Sequence, residues 1–190
     1  MSKVYYAEKI YTGIDFSEEE FETGDYEFCR FINCKFPKLN LSDCGFIECE
    51  FEGCDLGMAK LYDTSIRDTI FNECKLIGIQ FDTCNDFSFS AEFESCNLNL
   101  SSFFGVKVHN GIFKNCSIQE VEFSEAELKN AVFEECDLAK ANFNRTNLEK
   151  TDFSTSYNFI IDPEANTIKG AKFSLQGLPG LLEKYGIVIE

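Results

Sequence analysis

A five-residue rhythm constrains this chain more than any other feature. In FEECDLAKANFNRTNLEKTDF, residues 133–153, the apolar residues Phe133, Leu138, Phe143, Leu148 and Phe153 recur at every fifth position. A long strand would place i and i+5 on opposite faces, and a helix would rotate them well apart. A sustained period of five therefore requires the chain to turn once per repeat, and such repeats must be settled before local propensity is weighed.

The rhythm runs through most of the sequence. Stepping by five from Tyr11 gives fifteen consecutive apolar centres, ending at Phe81. The count fails at Asp86 and resumes at Phe93, from which it continues through Leu98, Phe103 and Val108 to Phe153. Twelve residues separate Phe81 from Phe93, so two are extra. These residues resemble the pentapeptide-repeat family, whose unit is a small residue, Asp or Asn, Leu or Phe, and two polar residues. The resemblance covers about residues 11–173 and implies an all-β fold, a right-handed quadrilateral β-helix with four pentapeptides per coil.

A 20-residue coil makes a further demand, that centres 20 apart form columns of like chemistry. One column reads Tyr11, Phe31, Phe51, Phe71, Phe93, Phe113, Phe133, Phe153 and Phe173, and the opposite one Phe21, Leu41, Leu61, Phe81, Phe103, Phe123 and Phe143. The two between turn aliphatic after the first coils. This register makes residues 82–92 one side of the square with a two-residue insertion. Asp86 is unsuited to a core centre, so Phe87 or Phe89 is expected to fill it while its neighbours bulge outward. The expected organisation is an N-terminal cap at 1–10, the β-helix at 11–173 and a C-terminal helix and tail at 174–190.

All ten cysteines occupy the small inward position two before a centre, and Cys34, Cys54, Cys74, Cys96, Cys116 and Cys136 form one ladder. Stacked strands lie ~4.8 Å apart, too far for the ~2 Å bond of a disulfide. The thiols are read as small buried hydrophobes, which favours a reducing compartment. With no signal-peptide pattern at MSKVYYAEKIYTG and no run of ~20 apolar residues, the expectation is a soluble cytoplasmic protein.

Past Phe153 the pattern degrades: Asn158 and Pro163 fall on centre positions, although the 15 residues from Phe153 to Ile168 keep the frame. LPGLLEKYG then predicts a short helix with Pro179 in its first turn and Gly186 as its stop. The apolar residues Leu178, Leu181, Leu182 and Tyr185, with Ile187 and Ile189 in the tail, suit either of two tasks. They can cap the open end of the solenoid, an aggregation hazard if left bare, or join two copies into a homodimer.

Catalytic motifs are missing. His109 is the single histidine and sits one after a centre, facing outward; no Walker loop or Rossmann glycine pattern occurs. No enzyme activity, cofactor or metal is expected. The remaining signal is charge: 33 acidic against 17 basic residues, net -16. That balance repels nucleic acid and calls for a basic partner. On the all-aromatic side the outward positions carry Glu50, Glu52, Glu73, Glu92, Glu94, Glu134, Glu135 and Asp152, taken as the candidate partner-binding face. Spread over a rod ~40 Å long, the net charge approaches the density of duplex DNA, one per ~1.7 Å.

The N-terminal YAEKI, the break in the middle, the IDPE segment Ile161 to Glu164 and the LLEKYGIVI ending together look like the Qnr and microcin-immunity subgroup. That resemblance implies a DNA mimic acting on a type II topoisomerase, DNA gyrase or topoisomerase IV, to protect it from quinolones or a peptide toxin. It also implies a homodimer joined through the C-terminus. The alternative is a protein-interaction scaffold with another partner.

Overall fold

A computed structural model describes residues 3–85, 87 and 89–188. The chain winds as a right-handed quadrilateral β-helix of about eight coils, with one short C-terminal helix. A nine-stranded parallel sheet forms one side, from Ile10–Thr12 through Arg30–Ile32, Glu50–Glu52, Thr69–Asn72, Ala91–Glu94, Ile112–Lys114, Val132–Glu134 and Asp152–Phe153 to Lys172–Phe173. Each strand is two to four residues long because the next corner arrives after five. Register follows the expected columns, with Phe31 opposite Phe51, Phe71 opposite Phe93 and Phe113 opposite Phe133. The adjacent side holds a four-stranded sheet, Val4–Ala7, Gly24–Glu27, Gly45–Ile47 and Ser65–Arg67. Val4–Ala7 pairs in parallel with Gly24–Glu27, so the chain enters the solenoid before Tyr11. The other two sides pair through single bridges such as Asp15 with Lys35 and Ser102 with Glu122.

Aromatic stacking sets the axial spacing of the core. Phe113 lies 4.6 Å from Phe133 with the rings 1° apart and 5.1 Å from Phe93 at 11°. Rings from neighbouring columns meet edge to face, as for Phe113 and Phe123 at 6.2 Å and 87°. Offset and edge-to-face pairs add to plain burial, and the centres from Phe31 to Phe153 in the all-aromatic column are at most 2% exposed.

Two backbone requirements explain the rest of the repeat. Most corner residues, two after a centre, have a left-handed conformation: Asp43, Glu48, Asp63, Glu73, Lys140 and others have φ between 49° and 62°, with Gly53 and Gly78 at equivalent corners. Side-chain-bearing residues rarely adopt this region, and the ladder bonds hold it in place, as in the amide of Glu73 donating to Glu94 O at 2.9 Å. The small inward residue has the second task. Its Sγ or Oγ donates to the carbonyl of a centre one coil earlier: Cys54 to Phe31 O at 3.2 Å, Cys74 to Phe51 O at 3.3 Å, Thr64 to Leu41 O at 2.8 Å, Ser156 to Phe133 O at 2.8 Å. Cysteine, threonine and serine alternate there because each is small and can give that bond. Among the described residues, Ser101 has the one buried side-chain oxygen or nitrogen without a hydrogen-bond partner. An unpaired buried polar group costs about 1–3 kcal/mol. Ser101→Ala is therefore expected to raise unfolding stability by about 1 kcal/mol, measured by urea denaturation.

The interruption is local. Asn85 N donates to Thr64 O in the usual register and Thr69 N donates to Ser90 O with two residues gained, so both extra residues lie between Asn85 and Ser90. Phe89 turns into the core at 8% exposure, whereas Phe87 faces outward at 82%; the core position goes to Phe89. Asp86 lies outside the described residues. The short sheet ends one coil before this point, and its side continues as the bridges Lys107 with Glu127 and Asn147 with Thr167.

The last coil departs from the five-residue count. Asn158 and Pro163 leave the core, and Phe159 and Ile161 fill it at 3% and 1% exposure. Over them folds the helix Pro179–Leu182, followed by the 3-10 turn Glu183–Tyr185 that ends at Gly186 with φ 58°. Ile161 N donates to Gly180 O at 3.0 Å. Among the described residues, no helix is long and apolar enough to cross a membrane.

Candidate functional site: the charged sides of the rod

Outward side chains stand in columns one coil apart, which dictates how charges meet. Most ion pairs join residues 20 apart: Lys35 with Asp15 at 3.0 Å, Lys129 with Glu149 at 3.0 Å, Arg145 with Glu125 at 2.9 Å. Exposed pairs of this kind contribute little to stability, but they decide which carboxylates remain available. On the all-aromatic side, Arg30 takes Glu50 at 2.6 Å and Glu52 at 3.4 Å, Lys114 takes Glu94 at 3.2 Å, and Lys172 takes Asp152 at 2.8 Å. For Asp152, burial opposes ionisation, yet Lys172 and Ser154 outweigh it and pull its pKa down to about 2. Glu73, Glu92, Glu134 and Glu135 are exposed and make no ion pair among the described residues, so the eight acids expected to act together divide into a neutralised set and an available set of four. The same side exposes Ile10, Ile70, Ile112 and Val132, all on register with the charges. This face is acidic and apolar by turns.

A second acidic concentration follows the corners of another side. Asp43 and Asp63 line one edge of the side that carries the interruption, and Glu8, Glu48 and Asp68 line the other. With Asp25 and Glu27 between the edges, against Arg67 and the Lys3 that pairs with Asp25 at 3.3 Å, this side is acidic before the interruption. After it, the same side carries Lys107, Lys129, Lys150 and Lys169 against Glu127 and Glu149. The side thus turns from acidic to basic along the rod, with the exposed ring of Phe87 at the boundary. A cavity of about 60 Å³ adjoins the break, lined by Phe81, Cys84, Phe89, Phe104 and Val106 among others.

The thiols are not placed for chemistry. All ten are free, nine buried and Cys84 half-buried. Burial pushes the Cys49 thiol up to about 12, and burial together with Asp82 does the same for Cys84. Thiol reactivity follows the thiolate fraction and exposure. A disulfide reagent is therefore expected to titrate no more than one thiol rapidly in the native protein and all ten in denaturant. His109 is exposed, and among the described residues no three His, Cys, Asp or Glu side chains are grouped to hold a metal ion.

At the C-terminal end the IDPE segment and the tail are joined physically. Lys184 Nζ reaches Asp162 at 2.6 Å and Glu164 at 2.7 Å, and Tyr185 donates to Glu164 at 3.1 Å. Those contacts hold Asp162 and Glu164 below the usual carboxylate range, chiefly through the Lys184 hydrogen bonds. Leu181 packs on the core and Leu182 is half-buried, while Leu178 and Tyr185 are 41% and 54% exposed. Leu175, Ile187 and Val188 are also exposed; Ile189 lies outside the described residues.

The pentapeptide repeat region family matches residues 24–103 and 88–157. Among solved structures, full-length QnrB1, described as a plasmid-mediated fluoroquinolone resistance protein, aligns at 18% identity with a TM-score of 0.53, over 97% of this chain and 100% of its own. A trypsin-treated form of QnrB1 aligns at 21% identity with a TM-score of 0.59, over 100% of this chain and 92% of its own. No curated protein matches the sequence. The structural likeness establishes the fold, and the repeats that carry it run through most of the sequence: the chain belongs to the pentapeptide-repeat family.

Proposed function

We propose that this protein is a DNA mimic that binds a type II topoisomerase, DNA gyrase or topoisomerase IV, and modulates it or protects it from a quinolone or a peptide toxin. The observation that carries the reading is a stiff rod bearing exposed, unpaired carboxylates in register, among them Glu73, Glu92, Glu134 and Glu135 on one side and Asp43, Glu48, Asp63 and Asp68 at the corners. Asp43 with Asp63 and Glu48 with Asp68 stand one coil apart, and the side acids extend the negative charge along the rod, where a groove built for phosphate would meet it with lysine and arginine. The likeness to QnrB1 supports the choice of target. The role is one of binding and needs no cofactor. Free, buried thiols suit a reducing cytoplasm. A homodimer joined through Leu178, Leu182, Tyr185 and Ile187 belongs to the same proposal.

Purified protein is expected to alter gyrase supercoiling, or its inhibition by a quinolone, at micromolar or lower concentration. Changing Glu73, Glu92, Glu134 and Glu135 together to glutamine should weaken that effect without lowering stability, since all four are exposed. No effect on any cognate topoisomerase would sink the proposal. A scaffold role with another protein partner is favoured by one observation, the isoleucines and valine interleaved with the acids, and it predicts an unchanged supercoiling assay.

A further inference from the structure

The two ends of the rod differ. At the C-terminal end Phe173 stacks on Phe153 and lies against Phe159, beneath the terminal helix. At the N-terminal end the four inward residues of the first coil are all aromatic, and Tyr6, Tyr11 and Phe21 stay only partly buried. Their orientation follows from the stacking that spaces the coils. Tyr6 lies on Tyr26 at 4.8 Å and 15°, Tyr11 on Phe31 at 4.9 Å and 7°, and Phe16 on Phe36 at 4.9 Å and 28°. One face of each ring meets the second coil; the partly exposed Tyr6 and Tyr11 turn the other toward the end of the rod, while Phe16, at 7% exposure, is packed edge to face by Phe21 at 5.1 Å. These rings and Phe21 line an open cavity of about 270 Å³ whose rim carries Glu20 and Glu22. Glu22 is fixed there from two directions: Tyr6 donates its hydroxyl to the carboxylate, and Tyr26 donates to the Glu22 carbonyl at 2.6 Å.

We propose that this end is a cation-recognition site that takes an arginine side chain presented by a protein partner. Aromatic faces attract cations through the ring quadrupole, and a carboxylate rim adds the opposite charge. A planar, weakly hydrated guanidinium stacks on rings more readily than a strongly hydrated ammonium. The site is independent of the topoisomerase reading, which concerns the sides of the rod.

The test uses the full chain with amide-resolved NMR and three short capped peptides that differ only in a central Arg, Lys or Gln. The arginine peptide is expected to shift amides of residues 5–27 saturably, the lysine peptide more weakly, and the glutamine peptide not at all. Tyr6→Leu, which keeps the burial but removes the ring, and Glu22→Gln should each weaken binding about fivefold with unfolding midpoints close to the parent. Shifts spread along the acidic sides, equal affinity for arginine and lysine, or undiminished binding in both variants would overturn the proposal. So would the same shifts appearing on concentrating the protein without peptide, which would mean that a second copy covers the end.

Discussion

Replacing Phe113 by alanine is expected to lower unfolding stability by about 3–5 kcal/mol, read as a drop in the urea midpoint. Phe113 is 0% exposed and stacks on Phe93 and Phe133 at 5.1 and 4.6 Å, with edge contacts to Phe103 and Phe123 at 5.9 and 6.2 Å. The neighbours have little freedom to close the void, because each is held in its own ladder by bonds such as Phe123 N to Asn142 O at 2.8 Å. Cavities that cannot collapse lie at the costly end of the range. In a solenoid each coil touches only its neighbours, so the damage should be polarised. Hydrogen exchange is expected to accelerate most in residues 91–135, flanking the substitution, and least in the first coil. Uniform acceleration along the rod would mean that the whole array unfolds as one cooperative unit.

Gly180→Ala should detach the terminal helix. A methyl group at that position would meet Phe159 O at 2.1 Å, a backbone atom that cannot move aside while Ile161 N donates to Gly180 O at 3.0 Å. Overpacking typically costs about 1–3 kcal/mol, more than so short a helix can offset. Leu181 would leave the core and the Lys184 contacts to Asp162 and Glu164 would be lost. The expected readout is rapid proteolysis after residue 174, with protection before residue 150 unchanged. If the tail also joins two copies, the oligomeric mass should fall in the same variant. A tail that stays protected would show that Gly180 is tolerated by a shift of the helix and that the close approach is not needed.

Most of the fold was legible because the five-residue period is a geometric instruction, and the columns from Tyr11 to Phe173 fixed the register. The cysteines were legible for a narrower reason: small size at the inward position predicted burial, although the bond each gives to a carbonyl of the previous coil came only from the coordinates. Phe159 and Ile161 were missed because the count assigned their coil to Asn158 and Pro163, and nothing in a periodic pattern says which neighbour turns inward when the period breaks. The candidate surface was less legible. Listing acids by side found Glu73 and Glu134 together with Glu50 and Asp152, but availability depends on which cation stands one coil away. A search for oppositely charged residues 20 apart would have separated Glu50 and Glu94 from Glu92, whereas Glu134 also stands 20 from Lys114 and only the coordinates show that Lys114 turns to Glu94. Glu48 and Asp68 were not singled out because the lysines farther along the same side, such as Lys107 and Lys129, offset them when the side is counted over its whole length.

The interruption has a wider consequence. Ladder bonds are intact at Asn85 on one side and at Ser90 on the other, and the aromatic column passes from Phe71 to Phe93 without a shift in register. The two extra residues are thus absorbed within one edge, and the coils beyond it sit where they would without them. Such a point works as a splice joint in the winding: chain can be gained or lost between Asn85 and Ser90 without rethreading the rod, so new projections can be carried there while the scaffold stays unchanged.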